Sequence, residues 1–301
     1  MCNYSSDSSA CQIFSLAILI VPSTQNPFAR GIHVSSPKST RFDDHLALAH
    51  VLADLSGQAV LPHFRRALTI EDKGSEHGFD PVTNADKAAE RSIRRHLAKV
   101  APEHGIIGEE FDASVGAGRF SWVIDPIDGT KAFIIGSPLW GTLIGLMEGE
   151  KPLLGLMNQP FTGERIWSGK RGTYWRVRSG ADRRVKTRAC PELGGAILTT
   201  TSPDLLGPAR NQQAFQRLKS QVRMTRYGGD CYGYCLLAAG HVDLVVETGL
   251  KAHDVVALIP IIERAGGRIT TWEGRSAEAG GRVVAAGDPS LHDKVLRILT
   301  G

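Results

Sequence analysis

The decisive stretch of this sequence reads Trp122-Val-Ile-Asp-Pro-Ile-Asp-Gly-Thr-Lys-Ala-Phe133. The apolar residues from Phe120 to Ile124 predict a buried β-strand. The strand is expected to stop at Asp125, because Pro126 has no backbone N–H and keeps the residue before it extended. A carboxylate is therefore expected at the end of a buried strand.

A second carboxylate, Asp128, follows Asp125 after two intervening residues. Gly129 permits a tight turn, and Thr130 can cap a following helix. The two carboxylates and the Ile127 carbonyl between them can face one point, and such oxygen ligands suit Mg²⁺. The alternative is a structural turn, because Asp-Pro and Asp-Gly pairs are common in loops. These residues alone leave both interpretations open.

The composition is that of a globular protein of ordinary polarity. The 301 residues are 42% hydrophobic and 22% charged, with a net charge of +4, and so long a chain can bury a large core. The basic residues are scattered, which argues against nucleic-acid binding. The cysteine number and spacing match neither a disulfide framework nor a zinc site, so we expect a reducing, cytoplasmic environment. The cysteines are Cys2, Cys11, Cys190, Cys231 and Cys235.

Residues 1–40 differ from the rest of the chain, being rich in Ser, Pro, Thr and Asn. Their one apolar run, Ile13 to Val21, is too short to span a bilayer as a helix. It also lacks the basic flank and the clear cleavage site of a secretory signal. We expect a disordered extension without chemistry, and no association with a membrane.

The remaining sequence divides into two halves of different pattern. Residues 41–188 predict two helices and then an antiparallel meander with Gly and Pro at its turns. The second helix follows Thr83 or Asn84 as its N-cap, which places Asp86 where the helix dipole favours a carboxylate. Residues 189–301 alternate strands and helices. We therefore expect an α+β, metal-binding half beside an α/β half that completes the active site.

Further acids stand at the ends of other predicted elements. Glu109 and Glu110 follow a short strand, where adjacent side chains point to opposite sides, so that only one of them enters a site directly. Asp254 begins a predicted helix in the second half. So many carboxylates in one place would raise each other's pKa unless cations compensate their charge.

The order of these motifs resembles that of the inositol monophosphatase family from about residue 43 to the end of the chain. The motifs are Gly108-Glu-Glu110, Trp122-Val-Ile-Asp-Pro-Ile-Asp-Gly-Thr130, and Asp254-Val-Val-Ala257 before a helix that ends at Ala265-Gly-Gly267. Three further stretches are similar to histidinol-phosphate phosphatases of that superfamily, namely Ser137–Ile144, Tyr227–Tyr234 and Leu250–Asp254.

The resemblance implies a layered αβαβα sandwich that hydrolyses a phosphate monoester with two or three Mg²⁺ ions per site. The implied metal ligands are Glu109, Asp125, the Ile127 carbonyl, Asp128 and Asp254. Thr130 and Asp86 would orient and polarise the attacking water, with Glu109 as a further candidate base. Glu110 would support the ligands from behind.

The resemblance also indicates where substrate binds. The implied phosphate contacts are Asp128, Gly129 and Thr130, and those to the organic part are Gly229, Asp230 and Glu247. Acidic contacts suit a cationic substrate, so the leading hypothesis is hydrolysis of L-histidinol phosphate to L-histidinol in histidine biosynthesis. The alternatives are an inositol-1-monophosphatase, a broad-specificity sugar or nucleotide phosphatase, and a catalytically silent regulatory relative.

Two further expectations follow from the resemblance. The partner is a small phosphorylated metabolite, and the chain forms a homodimer. One departure concerns His253, because the residue before Asp254 is commonly aromatic in the family. A histidine there can alter the protonation or packing around Asp254.

Overall fold

Three β-sheets and eight α-helices form the part of the chain that the structure describes. A computed structural model describes residues 41–74 and 80–301, so the predicted extension, residues 1–40, lies outside the described residues. The helices are α1 Arg41–Val60, α2 Asn84–Val100, α3 Thr130–Ile134, α4 Ala209–Lys219, α5 Asp230–Ala238, α6 Ala252–Val255, α7 Leu258–Ala265 and α8 Pro289–Thr300. The strands are β1 Ile70–Asp72, β2 Pro81–Thr83, β3 Gly105–Gly108, β4 Phe120–Asp128, β5 Gly141–Glu148, β6 Lys151–Gln159, β7 Glu164–Gly169, β8 Gly172–Val177, β9 Arg183–Val185, β10 Ile197–Thr200, β11 Met224–Tyr227, β12 Leu244–Leu250, β13 Arg268–Thr271 and β14 Gly281–Ala286.

The largest sheet has seven strands in the order β3-β4-β5-β6-β7-β8-β9. β3 runs parallel to β4, and every later neighbour is antiparallel. This arrangement confirms the predicted meander. Strand β9 is the last strand of the sheet and lies in a basic segment of the chain. It forms because Val185 is buried against the sheet while Arg183 and Arg184 stay exposed.

Helices α1 and α2 pack against each other and against the seven-stranded sheet. Leu52 of α1 and Ile93 of α2 meet Trp122 and Ile144 of the sheet in one core, and all four are fully buried. The burial of such side chains stabilises the fold by about 1.5–3 kcal/mol each. This core fixes β4, and therefore its carboxylates, against the helical layer.

The second large sheet has five strands in the order β11-β10-β12-β14-β13. β10 is parallel to β11 and to β12, whereas β14 is antiparallel to β12 and to β13. Helices α4 and α8 pack together, with α8 on β14, and they share a core with this sheet. Helices α5 and α7 pack between the two sheets in a separate core.

The resulting layers are helices, sheet, helices, sheet and helices, which confirms the predicted αβαβα sandwich. The seven-stranded sheet lies in residues 41–188 and the five-stranded sheet in residues 189–301. Short 3₁₀ turns occupy Leu61–His63, Leu193–Gly195 and Pro203–Leu206. No helix within the two described ranges is long and apolar enough to cross a bilayer.

Candidate active site

Strand β4 carries two of the predicted ligands and extends past the point where the sequence predicted its end. Asp125 lies opposite Leu143 and Asp128 opposite Gly141, so that three steps along β4 match two along β5. This is a β-bulge, and it contains Pro126, which has no N–H to give to the ladder. The predicted strand end at Asp125 is therefore wrong. The bulge absorbs the proline and turns both carboxylates toward one side.

Three carboxylates meet at this bulge. Asp125, Asp128 and Asp254 each offer an oxygen, and these atoms lie within 4.8 Å of one another. The backbone N–H of Cys231, in the first turn of α5, donates to Asp128 Oδ2 at 2.5 Å. The backbone N–H of Lys251 donates to Asp254 Oδ2 at 2.7 Å. The first half of the chain thus supplies two acids and the second half supplies the third.

The Ile127 carbonyl, the predicted backbone ligand, lies between the two carboxylates of β4. The Ile127 N–H donates to Asp125 Oδ1 at 3.0 Å. The Ile127 carbonyl oxygen accepts a hydrogen bond from Thr130 Oγ1, also at 3.0 Å. Because Thr130 opens α3, this bond fixes the turn from the strand into the helix.

The carboxylates destabilise one another's charged forms. Burial raises the pKa of Asp125 well above its usual value, and the nearby charges of Glu109, Asp128 and Asp254 raise it further. Burial also raises the pKa of Asp128, and Asp230 and Asp254 add to that effect. A bound divalent cation reverses this penalty, since it attracts every one of these charges. The all-oxygen donor set fits a hard cation such as Mg²⁺.

Glu109 lies beside this cluster and is paired with a lysine. Lys73 Nζ contacts Glu109 Oε1 at 2.7 Å and Glu110 Oε1 at 3.1 Å. Burial opposes the ionisation of Glu109, but Lys73 and His253 outweigh it and lower its pKa. Burial and the charge of Glu109 raise the pKa of Glu110 to about 7. The site therefore contains an internal cation.

Glu110 follows Glu109 and shares its lysine partner, and a buried acid holds its backbone. The Glu110 N–H donates to Glu90 Oε2 at 2.8 Å, and Glu90 Oε1 accepts from Arg94 Nε at 2.7 Å. Gly108 lies against the same carboxylate, and a Cβ there would come within 1.9 Å of Glu90 Oε1. The strand end that presents Glu109 therefore requires a glycine at position 108.

Asp86, a predicted catalytic residue, is fully buried at the start of α2. Its Oδ2 accepts from the Thr83 N–H at 2.9 Å and from Thr83 Oγ1 at 2.5 Å. Thr83 is the N-cap of α2, in agreement with the sequence. Asp86 Oδ1 has no hydrogen-bond partner within the described part of the chain. Burial raises the pKa of Asp86 to about 6.

A cavity of about 590 Å³ opens beside the start of α3. Three predicted substrate contacts line it, namely Gly129, Thr130 and Asp230. Gly129 has a φ of +88°, and a Cβ there would lie 3.2 Å from the Asp230 side chain. Glycine is therefore needed both for the turn and for the close approach of the two loops.

The other three predicted substrate contacts do not line this cavity: Asp128 belongs to the carboxylate cluster, and Glu247 and Gly229 lie next to lining residues. Glu247 is 4% exposed, and its Oε1 accepts from the Thr201 N–H at 2.7 Å and from Thr201 Oγ1 at 3.0 Å. Thr201 itself lines the cavity, so Glu247 reaches it through this threonine. Gly229 precedes α5 and packs against the backbone of Gly233.

Comparison with known proteins identifies the family. A family model described as the inositol monophosphatase family matches residues 43–300. This chain belongs to the inositol monophosphatase family. The predicted family is thereby confirmed, and the chain is a hydrolase of phosphoric monoesters acting on a small phosphorylated molecule.

The relatives of this phosphatase are named for different activities. The chain is 42% identical over 276 residues to the chloroplastic bifunctional phosphatase IMPL2 of Arabidopsis thaliana, which covers 88% of this chain and 78% of that protein. It is 36% identical over 257 residues to a histidinol-phosphatase of Mycobacterium tuberculosis, which covers 84% of this chain and 96% of the relative. A solved inositol monophosphatase from Zymomonas mobilis is 41% identical, with a TM-score of 0.76 over 87% of this chain and all of that one.

Sequence reasoning missed several residues that face the site of this phosphatase. They are Lys73, Asp80, Lys131 and Asp204. Lys73 follows a strand of only three residues, too short to show a period, and its partners lie 36 and 37 positions away. The adjacent acidic pair Glu109-Glu110 was the one signal that a nearby cation was needed.

His253, the departure from the family pattern, also faces the site. Its Nε2 lies 3.4 Å from Asp254 Oδ1. It lines a second cavity, of about 230 Å³, together with Asp80, Glu109 and Lys131. Through its charge His253 contributes to lowering the pKa of Glu109. His253 thus affects the ionisation of the nearby carboxylates in addition to filling space with its ring.

Proposed function

We propose that this phosphatase hydrolyses L-histidinol phosphate to L-histidinol and phosphate with Mg²⁺ as its cofactor. The observation that carries the proposal is the acidic lining of the 590 Å³ cavity beside the three-carboxylate cluster. Asp80, Asp204 and Asp230 line it, against one cationic side chain, Lys131. An alcohol that carries an amine and an imidazole matches such a cavity better than a neutral polyol does.

Two or three Mg²⁺ ions would be held by Glu109, Asp125, the Ile127 carbonyl, Asp128 and Asp254. Bound there, the ions lower the pKa of water and attract the charge of the phosphoryl oxygens. Lys73 Nζ contacts Glu109 Oε1 at 2.7 Å, so a magnesium ion would compete with this lysine for the Glu109 carboxylate. The lysine then remains next to Glu110 or turns toward the phosphate.

The protein positions the reacting groups on two sides. Gly129 and Thr130 line the cavity at the start of α3, where backbone N–H groups favour an anion. Thr130 and Asp86 orient the water that attacks phosphorus. With a pKa of about 6, Asp86 is ionised at neutral pH and its unpartnered Oδ1 can hold a proton. As the water oxygen bonds to phosphorus, the water releases a proton toward Asp86. The bond from phosphorus to the alcohol oxygen breaks, and that oxygen takes up one proton from the solvent, which balances the proton that the attacking water gives up.

The organic part of the substrate lies toward Asp230. Burial raises the pKa of Asp230 to about 6, so its carboxylate is largely ionised at pH 7.5 or above and can pair with a cationic amine. Asp204 and Asp80 extend the negative surface on either side. Glu247 supports this wall from behind by holding Thr201. The histidinol-phosphatase relative from Mycobacterium tuberculosis supports the same substrate.

The test is phosphate release from three substrates with Mg²⁺ or with EDTA. The substrates are histidinol phosphate, myo-inositol 1-phosphate and 3′-phosphoadenosine 5′-phosphate. We expect kcat/KM for histidinol phosphate to exceed the other two by roughly tenfold or more, since one charged contact contributes about 1.5–3 kcal/mol. EDTA should stop release from all three. Release from none of them would favour the silent relative.

A matched pair of variants tests the acidic cavity directly. Asp230→Asn should lower kcat/KM for histidinol phosphate by about tenfold and leave that for inositol phosphate nearly unchanged. Asp293→Asn makes the same charge change on the exposed face of α8, and it should alter neither value. Equal loss with both substrates would show that Asp230 does not select the organic part.

Inositol phosphate is the second candidate substrate. It is favoured by the 41% identity to the Zymomonas mobilis inositol monophosphatase. Its hydroxyl groups can hydrogen-bond to the same carboxylates, but they neutralise no charge. A kcat/KM higher for myo-inositol 1-phosphate than for histidinol phosphate would replace the first candidate with this one.

A further inference from the structure

A second polar cavity, of about 540 Å³, lies between the end of α1 and the strands β6, β7 and β8. Its polar lining includes Gln58, Asn158, Arg165, Arg176, Arg178 and Ser179. It shares no lining residue with the two cavities at the carboxylate cluster. We call it the arginine cavity. Its size falls within the range typical of small-molecule sites.

The strand register of this cavity places like charges side by side. Arg165 of β7 lies directly opposite Arg176 of β8. Directly opposed side chains in an antiparallel pair have Cβ atoms about 4.5–5.5 Å apart, and like charges there are destabilising. A sheet tolerates such a pair when negatively charged groups face the two arginines and compensate their charge.

Arg165 has its own partners and is nearly buried, with a side chain 11% exposed. Its guanidinium contacts Asp54 Oδ1 at 2.6 Å and Asn158 Oδ1 at 2.9 Å. His50 Nδ1 lies 3.2 Å from the third nitrogen. The one carboxylate in the lining, Asp54, is therefore already paired with the innermost arginine.

The other two guanidinium groups remain largely uncompensated. Arg176 reaches Asp182 at 3.3 Å, an ion pair whose carboxylate is 50% exposed and therefore weak. The guanidinium group of Arg178 has no hydrogen-bond or ion-pair partner among residues 41–74 and 80–301, whereas its backbone N–H donates to the Gly163 carbonyl. It lies at the mouth of the cavity with a φ of +52°, a strained conformation for a residue with a long side chain.

The titration of His50 reports the same positive field. Burial, together with the charges of Arg165 and Arg176, lowers the pKa of His50 to about 4. His50 is therefore neutral at physiological pH, and its Nδ1 can accept a hydrogen bond from Arg165. His50 therefore adds no positive charge beside the opposed arginines.

We propose that the arginine cavity binds a small oxyanion, a phosphate or carboxylate group of a regulatory metabolite. Arg176 and Arg178 hold the anion with charge-assisted hydrogen bonds, and Ser179 and Gln58 complete its polar surroundings. Arg165 orders the wall and adds to the field. The proposal is independent of the substrate, because none of these residues lines the catalytic cavities.

Sulfate is the probe, because it resembles a phosphate group without being a product of the reaction. Calorimetric titrations use the full chain, stripped of metal with EDTA and then dialysed into EDTA-free buffer, because EDTA is itself a carboxylate anion. Without metal, the unneutralised carboxylate cluster repels anions. Arg178→Gly removes the guanidinium and relieves the strain of a positive φ, so the variant keeps its fold. We expect it to bind sulfate about tenfold more weakly than the unaltered protein. Its phosphatase activity should stay the same.

Two control variants define where the anion binds. Arg183→Gln removes an exposed charge from β9 outside the cavity lining, and it should keep the original affinity. Asp128→Asn changes the catalytic cluster and should also keep it. A parallel titration with citrate distinguishes carboxylate ligands from phosphate-like ones. Equal sulfate affinity in the Arg178→Gly variant and the unaltered protein would overturn the proposal, as would loss of binding in Asp128→Asn alone.

Discussion

Replacement of the buried acid Glu247 by glutamine should make stability less dependent on pH. Burial raises the pKa of Glu247 from 4.5 to about 8, although hydrogen bonds from Thr200 and Thr201 oppose that rise. The folded protein therefore keeps Glu247 protonated at neutral pH, whereas the unfolded chain ionises it. Below pH 4.5, the pKa of Glu247 in the unfolded chain, both states are protonated and the raised pKa costs no stability. The penalty grows as the pH rises and is complete above about 8.

The magnitude follows from the size of the pKa shift. Each pH unit between the two pKa values contributes about 1.4 kcal/mol, so Glu247 costs about 3 kcal/mol at pH 7 and about 5 kcal/mol at pH 9. Glutamine does not ionise, so it adds no pH-dependent cost to folding. Its side-chain oxygen accepts the hydrogen bond from the Thr201 N–H as the carboxyl oxygen does. We compare the free energy of unfolding of the Glu247→Gln variant with that of the unaltered protein. The difference, variant minus unaltered protein, should rise by about 5 kcal/mol between pH 4.5 and pH 9.

The measurement is urea unfolding of both proteins in EDTA at pH 4.5, 7 and 9. Other titrating groups affect both proteins equally, so the difference isolates Glu247. A constant offset added to the predicted rise reflects the altered hydrogen bonds and leaves the reasoning intact. A difference that does not change with pH would refute it, since Glu247 would then ionise in the folded state as it does in the unfolded chain.

Three further variants test the catalytic cluster. Asp128→Asn should lower kcat by about a thousandfold or more while circular dichroism stays unchanged, because a charged ligand that faces the reaction is lost; phosphatase activity equal to that of the unaltered protein would contradict the ligand set. Lys73→Met should lower the Mg²⁺ concentration for half-maximal activity, since Nζ no longer competes for Glu109; an unchanged Mg²⁺ titration would show that the ion pair breaks freely. Gly108→Ala should lower the free energy of unfolding by about 1–3 kcal/mol and reduce activity, because the new Cβ meets Glu90 Oε1 at 1.9 Å and something must shift; the control change Gly194→Ala meets nothing within 4 Å and stands at no positive φ, so it shows the effect of adding a methyl group without a clash.

Local patterns were sufficient to predict most of the elements. The apolar period and the N-cap gave α2 with Thr83 at its start, and the glycine and proline punctuation gave the meander from β5 to β8. The motif at β4 and the acid at the start of α6 predicted the carboxylates that the structure brings together. These features depend on neighbouring residues or on short ordered motifs.

What the sequence did not reveal depends on register and on distant pairing. The bulge at Pro126 requires knowledge of the strand opposite, since only the pairing of Asp125 with Leu143 and Asp128 with Gly141 defines it. The ion pair of Lys73 with Glu109 joins residues 36 positions apart, and no repeating sequence pattern connects them. Asp204 lies in a 3₁₀ turn far from α3 in sequence, and only the packing of the two halves brings it to the same cavity.

The origin of the carboxylates explains why the site needs both halves of the chain. β4 of the seven-stranded sheet supplies Asp125 and Asp128, whereas the short helix α6, which follows β12, supplies Asp254. The N–H of Cys231 at the start of α5 also donates to Asp128 across this junction. Repulsion among the three acids pushes the halves apart, and a divalent cation that contacts all of them pulls the halves together. Cation binding is therefore coupled to the stability of the layered fold, because a ligand that binds only the folded chain stabilises it.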